Sequence, residues 1–520
     1  MHKKTKAFTL IELIIVIAVV AILLAAVLIT FNPNKRIKQA QDARRWTDVT
    51  NILKAANSYA VDHKAPFCAN LGMDLTDDDQ WRCLGPGLNL PTSETAFVCK
   101  VRPECPGAGA NNENGSCIAN EGSSLCCCGS LYDWEYINGG IKFTPSCSNG
   151  DLTCVKKIAV AQIEGDWTGQ PETNFINIKD WTTDADYYIK IYTTGDARHN
   201  GVYGGNPKAY RLEPSSLLWA VKIEEKYTKI DGLQIKPLNR QYSYGIGGLE
   251  FDGVVGQEYS NNIIQGHNGQ DSYGISMSKS YKSKIFNNII YNFNGTGSGG
   301  IHIGSCVFGN CINDSYSFIY NNTIANSSRG IKNIFWASII KNNLIYNCTD
   351  PYCQDAGEEF KAAYNNASDG AGAEYPDAQT SENNRKSPDD FSSFSFLDAG
   401  NFNFHLASTD IGAKDFGVDL SNDSYLSFTD DIDGGIRGFF DSLWDIGADE
   451  YGTGACCDLG TDLVDGGYLA KMPEDPVEGD LAGLGNAGYY IKRALSGEIW
   501  VSAPHKSEFY DQNKDIMVTE

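Results

Sequence analysis

The sequence predicts a multi-domain α+β chain with a long N-terminal transmembrane helix, an antiparallel sheet and a parallel β-helix. Three observations predict this fold class. Residues 8–29 form an almost uninterrupted apolar run, and the middle of the chain repeats short β-rich segments that follow paired asparagines. Residues 452–520 contain runs of alternating apolar and polar side chains, which are typical of antiparallel strands. A length of 520 residues allows two to four domains.

The apolar run is interrupted only by Thr9 and by one charge, Glu12. Its length is sufficient for a helix to cross a bilayer. A carboxylate inside such a span is costly in lipid, which makes Glu12 a candidate functional residue. The basic leader of residues 1–7 lacks the separate apolar core that an ordinary secretory signal carries before its cleavage site.

The stretch Lys6-Ala7-Phe8-Thr9-Leu10-Ile11-Glu12 resembles the processing and N-methylation motif of type IV prepilins and pseudopilins. The resemblance implies that a prepilin peptidase cuts between Ala7 and Phe8, and that the new Phe8 amino group is methylated. It implies that Glu12 then pairs with the N-terminal amine of a neighbouring pilin subunit. The precursor would be a single-pass protein of the inner (cytoplasmic) membrane, and the mature chain part of a bacterial cell-surface filament. A plain anchor helix with a chance glutamate is the alternative.

Beyond Pro33, which marks a boundary near the membrane surface, apolar residues continue at spacings of three and four as far as Ala60. This pattern predicts one pilin-type helix over residues 8–64, with residues 8–30 in the membrane. Such a helix would join the subunits of a filament.

Charge and cysteine content limit the partners and the compartment. The formal charge is −23, and loss of the three leader lysines lowers it to about −26, which argues against a nucleic-acid partner. Sixteen cysteines indicate an oxidising exterior, and ten of them lie between Cys68 and Cys154. Residues 65–157 are therefore predicted to be a disulfide-stapled region of undefined pairing. Zinc is disfavoured there because the spacings do not form paired C-x2-C ligands.

Paired asparagines followed by apolar residues recur through the middle of the chain. They begin at Asn261, Asn287, Asn321 and Asn342, at spacings of 26, 34 and 21 residues. Irregular strand-rich repeats without helical periodicity predict a parallel β-helix, here over residues 158–451. Asparagine tolerates the left-handed backbone of a tight turn, and its amide can bond to the asparagine one coil above.

Several cysteines outside the Cys-rich region are disulfide candidates. Two pairs of equal spacing stand in loops between repeats and are candidates to close those loops, and a third pair follows the repeats: Cys306 and Cys311, Cys348 and Cys353, and Cys456 and Cys457.

The repeats, and the closing pattern Asp430-Asp431-Ile432-Asp433-Gly434, Arg437 and Asp445–Tyr451, resemble the right-handed, pectate-lyase-like β-helix superfamily. Lyases and hydrolases of that fold use clustered carboxylates, calcium and an Arg or Lys base on one face. The candidates in this chain form no convincing spacing, and we interpret them as solvated surface residues: Asp231, Asp252, Arg211, Arg240, His267, Asp271, His302 and Arg329.

No cofactor or metal is predicted. Asp430, Asp431 and Asp433 could hold calcium, but an EF-hand is excluded because Ser442 stands where that loop requires Glu. We interpret this acidic run as part of a β-helix cap. Four tryptophans could stack on sugar rings, although core packing is the preferred interpretation: Trp167, Trp181, Trp219 and Trp336.

The C-terminal residues 452–520 resemble small bacterial pilins through Gly467–Pro476, which contains the motif YLAKMPEDP. Strands are predicted at residues 488–493, 498–504 and 515–519. The pilin head would then be split by about 390 inserted residues, which exposed loops tolerate when their ends can meet. Part of residues 65–157 or 368–451 must then run along the β-helix to bring the chain back.

Three functions follow from these patterns. The first is a minor pilin-like subunit that displays a β-helix for adhesion or for binding glycan or another surface. The second is a carbohydrate-active β-helix enzyme tethered to a filament, and the third is a pseudopilin of type II secretion. A cluster of three or more carboxylates with a base within hydrogen-bond reach, in a groove of the β-helix, would favour the enzyme, whereas an aromatic-lined or featureless β-helix would favour binding.

Overall fold

The computed structural model describes residues 44, 47, 50–55, 81–84, 96–101, 151–457, 489–493, 499–503 and 516–519. Short gaps within the longest range are residues 216–217, 240, 249–253, 278–279, 305–315, 335–337, 355–358, 436 and 439–442. Helical structure comprises residues 44, 47 and 50–55, helix α1 (Leu152–Val155) and the 3-10 turns Gly195–Ala197 and Ala399–Asn401.

The strands are, in chain order, β1 (Trp81–Leu84), β2 (Ala96–Val101), β3 (Ile158–Ile163), β4 (Ile176–Ile178), β5 (Ile189–Thr193), β6 (Arg211–Leu212), β7 (Trp219–Ile223), β8 (Thr228–Asp231), β9 (Gln234–Ile235), β10 (Tyr244–Gly248), β11 (Val254–Val255), β12 (Glu258–Ser260), β13 (Ile263–Gln265), β14 (Tyr273–Met277), β15 (Ser280–Tyr281), β16 (Lys284–Phe286), β17 (Ile289–Tyr291), β18 (Gly299–Gly304), β19 (Ser317–Tyr320), β20 (Thr323–Ala325), β21 (Arg329–Ile334), β22 (Ser338–Lys341), β23 (Leu344–Tyr346), β24 (Ala362–Tyr364), β25 (Ala367–Asp369), β26 (Ser381–Glu382), β27 (Arg385–Lys386), β28 (Phe396–Asp398), β29 (Asn403–Leu406), β30 (Thr453–Cys457), β31 (Tyr489–Arg493), β32 (Ile499–Ala503) and β33 (Ile516–Thr519).

Three parallel sheets form the β-helix. They contain ten strands (β2-β3-β5-β8-β12-β16-β19-β22-β24-β26), eight strands (β27-β25-β23-β20-β17-β13-β9-β6) and six strands (β21-β18-β14-β10-β7-β4). The chain visits the sheets in turn, so that each strand pairs with the strand one coil away. At about 4.8 Å per coil, the ten-stranded sheet is roughly 43 Å long. Its first strand, β2, lies within the Cys-rich region and pairs with β3.

The core is a stack of isoleucines from successive coils. Ile246, Ile275, Ile301 and Ile331 are in register on the six-stranded sheet and fully buried. Each buried isoleucine stabilises the fold by about 1.5–3 kcal/mol relative to an exposed one. A glycine precedes each of them, and a Cβ on Gly300 would lie 2.5 Å from Ile324 Cγ2. The residue before the isoleucine must therefore be small.

The paired asparagines perform two different tasks. The first of each pair adopts the left-handed backbone, with φ between 48° and 54° at Asn261, Asn287, Asn321 and Asn342. The second is buried and donates its amide to the next one, through bonds of 2.9–3.0 Å along Asn262, Asn288, Asn322, Asn343, Asn366 and Asn384. The predicted asparagine contact between coils is confirmed, and the pattern extends to Asn365-Asn366 and Asn383-Asn384.

Residues 415–450, here called the strap, fold back along the β-helix. Asn365 and Asn342 donate to the carbonyls of Phe416 and Val418. Asn261 then reaches the carboxylate of Asp430 at 3.2 Å. The strap next reverses, because Asn321 donates to the carbonyl of Gly447 at 3.0 Å. A segment within residues 368–451 therefore runs along the β-helix, but it turns back towards the later coils instead of ending at the first ones.

Arg437 joins the two arms of the strap to a coil. Its guanidinium is fully buried and donates to Asn287 Oδ1 at 2.9 Å and to the carbonyls of Gly447 and Ala448 at 2.9 and 2.7 Å. It also pairs with Glu450 at 3.4 Å. Planar, forked donor geometry makes arginine suited to this multiple contact.

The predicted fold class, α+β with a long N-terminal helix, is wrong. The described chain is mostly parallel sheet, since its stacked coils leave room only for short helices. Among the described residues, no helix is long and apolar enough to span a membrane. The predicted segment 8–30 and most of the helix 8–64 lie outside the described residues. Of that helix, residues 50–55 are helical, and Ile52 and Leu53 are buried.

A separate five-stranded sheet has the order β30-β1-β31-β32-β33. Strands β31, β32 and β33 pair antiparallel, which confirms the three strands predicted at the C-terminus. Strand β1 joins them from the Cys-rich region, parallel to β30 and antiparallel to β31.

The described cysteines include both free thiols and a disulfide-bonded residue. Cys348 and Cys353 are buried free thiols, so the predicted closure of their loop is absent. Cys348 packs into the core, where burial raises the pKa of its thiol to about 12. Cys154 is disulfide-bonded. Cys306 and Cys311 lie outside the described residues, as do the side chains of Cys456 and Cys457.

Candidate functional site

An open cleft of about 550 Å³ lies where the strap leaves the last coils of the β-helix. Its walls come from the final asparagine turns on one side and from the start of the strap on the other. The lining residues are Asn365, Asn383, Asn384, Arg385, Asp390, Asp415, Phe416 and Gly417.

Arg385 and Phe416 form the centre of the cleft. The guanidinium carbon of Arg385 lies 3.3 Å from the centroid of the Phe416 ring, and its Nη2 donates to the carbonyl of Ile411 at 3.1 Å. Phe416 is 43% exposed, although it is a large apolar side chain. An arginine held flat against an aromatic ring is a rigid donor that can bind a carboxylate or vicinal hydroxyls.

Asp390 supplies a negative charge to the same cleft. Its Oδ2 accepts hydrogen bonds from the Tyr375 hydroxyl at 2.7 Å and from the Lys386 backbone at 2.9 Å. Burial raises the pKa of Asp390, but these bonds outweigh it, and the pKa lies below its usual value. Asp390 is therefore an anion that accepts hydrogen bonds, not a proton donor at neutral pH.

The outer face of the six-stranded sheet carries a second polar and aromatic group. Trp219, Tyr244 and Tyr273 occupy one register position on successive coils, and the first two rings stack at 4.3 Å. Trp219 and Tyr273 are 7% and 6% exposed. This aromatic row is consequently largely covered, and Tyr244 is its half-buried member.

Three sequence candidates meet beside Tyr273. Arg329 donates to the Tyr273 hydroxyl at 3.1 Å and to the Gly297 carbonyl at 2.9 Å. The His302 ring stacks on Tyr273 at 4.8 Å. Burial raises the pKa of Tyr273, and the nearby charge of Asp271 adds to the increase. Arg329 and Tyr273 bond to each other and to the Gly297 carbonyl, which fits a structural role better than catalysis.

The other candidates are dispersed. Asp231 is buried and accepts two bonds from Arg198, at 3.1 and 3.3 Å. Arg211 is half-buried in β6, and His267 is half-buried on another coil. Trp167 and Trp181 belong to the core, which confirms the packing interpretation for both. Asp252, Arg240 and Trp336 lie outside the described residues.

The acidic run Asp430, Asp431 and Asp433 lies in the strap, against the turns of Asn261 and Asn287. Asp431 is fully buried and accepts bonds from the backbone amides of Asp433, Gly435 and Glu450. These three bonds make the aspartate a turn-forming residue.

The cleft was not predicted from the sequence. The repeats Asn365-Asn366 and Asn383-Asn384 could have revealed its coil side, because they continue the asparagine pattern. Phe416 and Arg385 are 31 residues apart and carry no local signal for their contact.

Comparison with known proteins gives two similarities. A family model described as the prokaryotic N-terminal methylation motif matches residues 2–28. The crystal structure of pectate lyase Pel9A is similar at 13% identity and a TM-score of 0.31, over 70% of this chain and 98% of that one. No curated protein matches the chain.

Proposed function

From an N-terminal methylation motif and a parallel β-helix, we propose that this protein is a minor subunit of a type IV pilin-like filament whose β-helix binds glycan at the cell surface. The motif at residues 2–28 carries the proposal, since it implies processing by a prepilin peptidase and assembly with pilins. Cleavage falls between Ala7 and Phe8, and Glu12 pairs with the methylated amine of the next subunit.

The sheet formed by β1 and β30–β33 serves in this proposal as the pilin-like head. The β-helix is then an insertion between the two parts of that head. Its length supports a minor subunit, because a β-helix roughly 43 Å long would crowd every position of a packed filament.

The cleft at Arg385 and Phe416 supports glycan binding. An exposed ring can stack on the apolar face of a sugar, while the guanidinium and the Asp390 carboxylate bond to hydroxyl groups. The lowered pKa of Asp390 makes it unsuited to the general-acid role of a glycosidase, which needs a raised pKa.

Mass spectrometry of the N-terminal peptide from membranes of producing cells tests the proposal. We expect a peptide that begins at Phe8 with one added methyl group. Glu12→Ala should still be cut and methylated but should be lost from sheared filaments. A peptide that still begins at Met1 would refute the proposal, as would normal incorporation of Glu12→Ala.

A further inference from the structure

His405, Asp433 and Asp449 meet where the strap approaches an early coil. Each offers a potential ligand atom, and these atoms lie within 4.8 Å of one another. His405 belongs to β29, and the two aspartates belong to the two arms of the strap. Gly201 closes one side, since a Cβ there would lie 2.3 Å from His405 Nε2.

The hydrogen bonds of His405 define its tautomer. Asn403 Oδ1 accepts the backbone N–H of His405 at 3.2 Å, which identifies that atom as oxygen. The same oxygen lies 2.5 Å from His405 Nδ1, so Nδ1 carries a proton. In a neutral imidazole, Nε2 then carries a lone pair and no proton, so it is a hydrogen-bond acceptor. It nevertheless lies 2.8 Å from Asp433 Oδ2, which is also an acceptor. Two acceptors at this distance require a second proton or a cation between them.

Asp449 supplies an independent observation. The residue is 3% exposed, and its Oδ2 accepts the Leu406 backbone N–H at 2.6 Å. Its buried Oδ1 has no hydrogen-bond partner among the residues that the structure describes. A buried carboxylate oxygen without a partner is costly. Arg437 donates to the backbone carbonyl of Asp449 at 3.4 Å and pairs with the carboxylate of Glu450, while Arg198 pairs with Asp231.

We propose that His405, Asp433 and Asp449 bind one divalent cation of the zinc class, which ties both arms of the strap to β29. One imidazole nitrogen and two carboxylates suit zinc, whereas calcium takes six to eight oxygen ligands. Tetrahedral ligands at about 2.0 Å are about 3.3 Å apart. Zinc binding therefore requires the distance between His405 Nε2 and Asp433 Oδ2 to increase by about half an ångström. The longer distances between the other ligand atoms must decrease.

The second shell supports this role. The Nδ1 bond to Asn403 orients the imidazole and leaves Nε2 for the metal, as in other histidine ligands of metals. Three protein ligands leave a fourth position for a water molecule. The cation would neutralise charge that the strap otherwise buries.

The test uses the untagged full chain in detergent, with or without its leader, stripped with EDTA and shown to be folded by circular dichroism. Zn²⁺ is titrated by calorimetry, and bound metal is counted after dialysis. We expect one Zn²⁺ per chain, at least tenfold preference over Ca²⁺, and a higher Tm with Zn²⁺. Asp449→Asn keeps the shape of the side chain and should weaken Zn²⁺ binding at least tenfold, as should His405→Gln. His302→Gln is the matched control and should bind normally.

Absence of stoichiometric Zn²⁺ binding by the folded wild-type chain would overturn the proposal and leave His405 as an imidazolium paired with Asp433. Equal binding by wild type and Asp449→Asn would also overturn it, by placing the ion elsewhere. Preference for Ca²⁺ would overturn the assigned metal class. None of these outcomes depends on N-terminal processing.

Discussion

Phe416 presents one face to Arg385 and leaves much of its surface in solvent. Replacement of Phe416 by alanine should remove both the stacking surface and the support of the guanidinium. We expect at least a tenfold loss of affinity for the glycans that the wild-type chain captures on an array. Tyr425→Ala, which removes a 55% exposed ring elsewhere on the strap, is the control and should bind as wild type does.

Unchanged glycan binding by Phe416→Ala would exclude the cleft as the binding site. Release of shortened or unsaturated sugars by the wild-type chain would instead support the enzymatic alternative.

Glu225 should make stability depend on pH. Burial, reinforced by the charge of Asp180, raises its pKa to about 7, although its Oε1 accepts the Trp181 backbone N–H at 2.8 Å. A raised pKa means that the folded state favours the protonated form. The stabilisation is therefore full below about pH 4.5 and is lost as the pH rises through 7.

Glu225→Gln keeps the oxygen that accepts the Trp181 amide and removes the charge. We expect its Tm to exceed that of the wild type at pH 8 and the difference to shrink towards pH 5. The exposed Glu382→Gln is a control for loss of one charge. A Tm difference for Glu225→Gln that does not change between pH 5 and pH 8 would contradict the assignment.

Among the elements, the asparagine ladder joins the coils most regularly. Asn322 donates to the carbonyls of Ile285 and Tyr320, and its Oδ1 accepts the backbone and side-chain N–H groups of Asn288. Asn322→Ala leaves these buried groups unpaired and should lower the free energy of unfolding by about 3 kcal/mol or more. Denaturant titration of the full chain measures this loss.

Asn292→Gly is a matched control for the ladder variant. Asn292 has a φ of 66°, which glycine adopts readily, and it lies outside the ladder. We expect a change of less than about 1 kcal/mol. Equal destabilisation by the two variants would show that loss of a turn asparagine, not of the ladder, controls stability.

The coils were predictable because their signal is local. Each turn needs a residue that tolerates positive φ, and each following amide needs a partner one coil away, so Asn-Asn pairs mark the repeats directly. The six-stranded sheet was harder to predict. Its isoleucines follow glycines, and these glycines are required only because there is no room for a larger side chain against the core. The predicted disulfide between Cys348 and Cys353 was wrong, because the equal spacing of two cysteine pairs does not indicate whether a cysteine side chain packs into the core.

For the whole molecule, the strap contacts were less predictable. Its path is set by turn asparagines that are 51 to 169 residues away in sequence. The cleft at Phe416 and the proposed metal site at His405 were hard to predict for the same reason, because their residues come from segments that are distant in sequence. The closing pattern from Asp430 to Tyr451 carried no signal for the coils that this segment contacts.

Arg437 provides the test of strap attachment. Arg437→Met removes the buried cation and leaves Glu450 and several carbonyls without their partner. We expect a loss of about 3–5 kcal/mol in the free energy of unfolding, and faster proteolysis within residues 415–450. Arg211→Met, a half-buried arginine on the coil surface, is the control. Wild-type protection of the strap in Arg437→Met would contradict its assigned role.

The strap also has a mechanical consequence. A bare solenoid contacts only nearest neighbours, so tension at its end can peel off one coil at a time. Here, the terminal coil cannot detach without tearing the strap from the turns of Asn365, Asn342, Asn321 and Asn261. A pulling force on the end of the β-helix would therefore be shared by several coils at once. The domain should yield in one abrupt step at high force, with little extension before it.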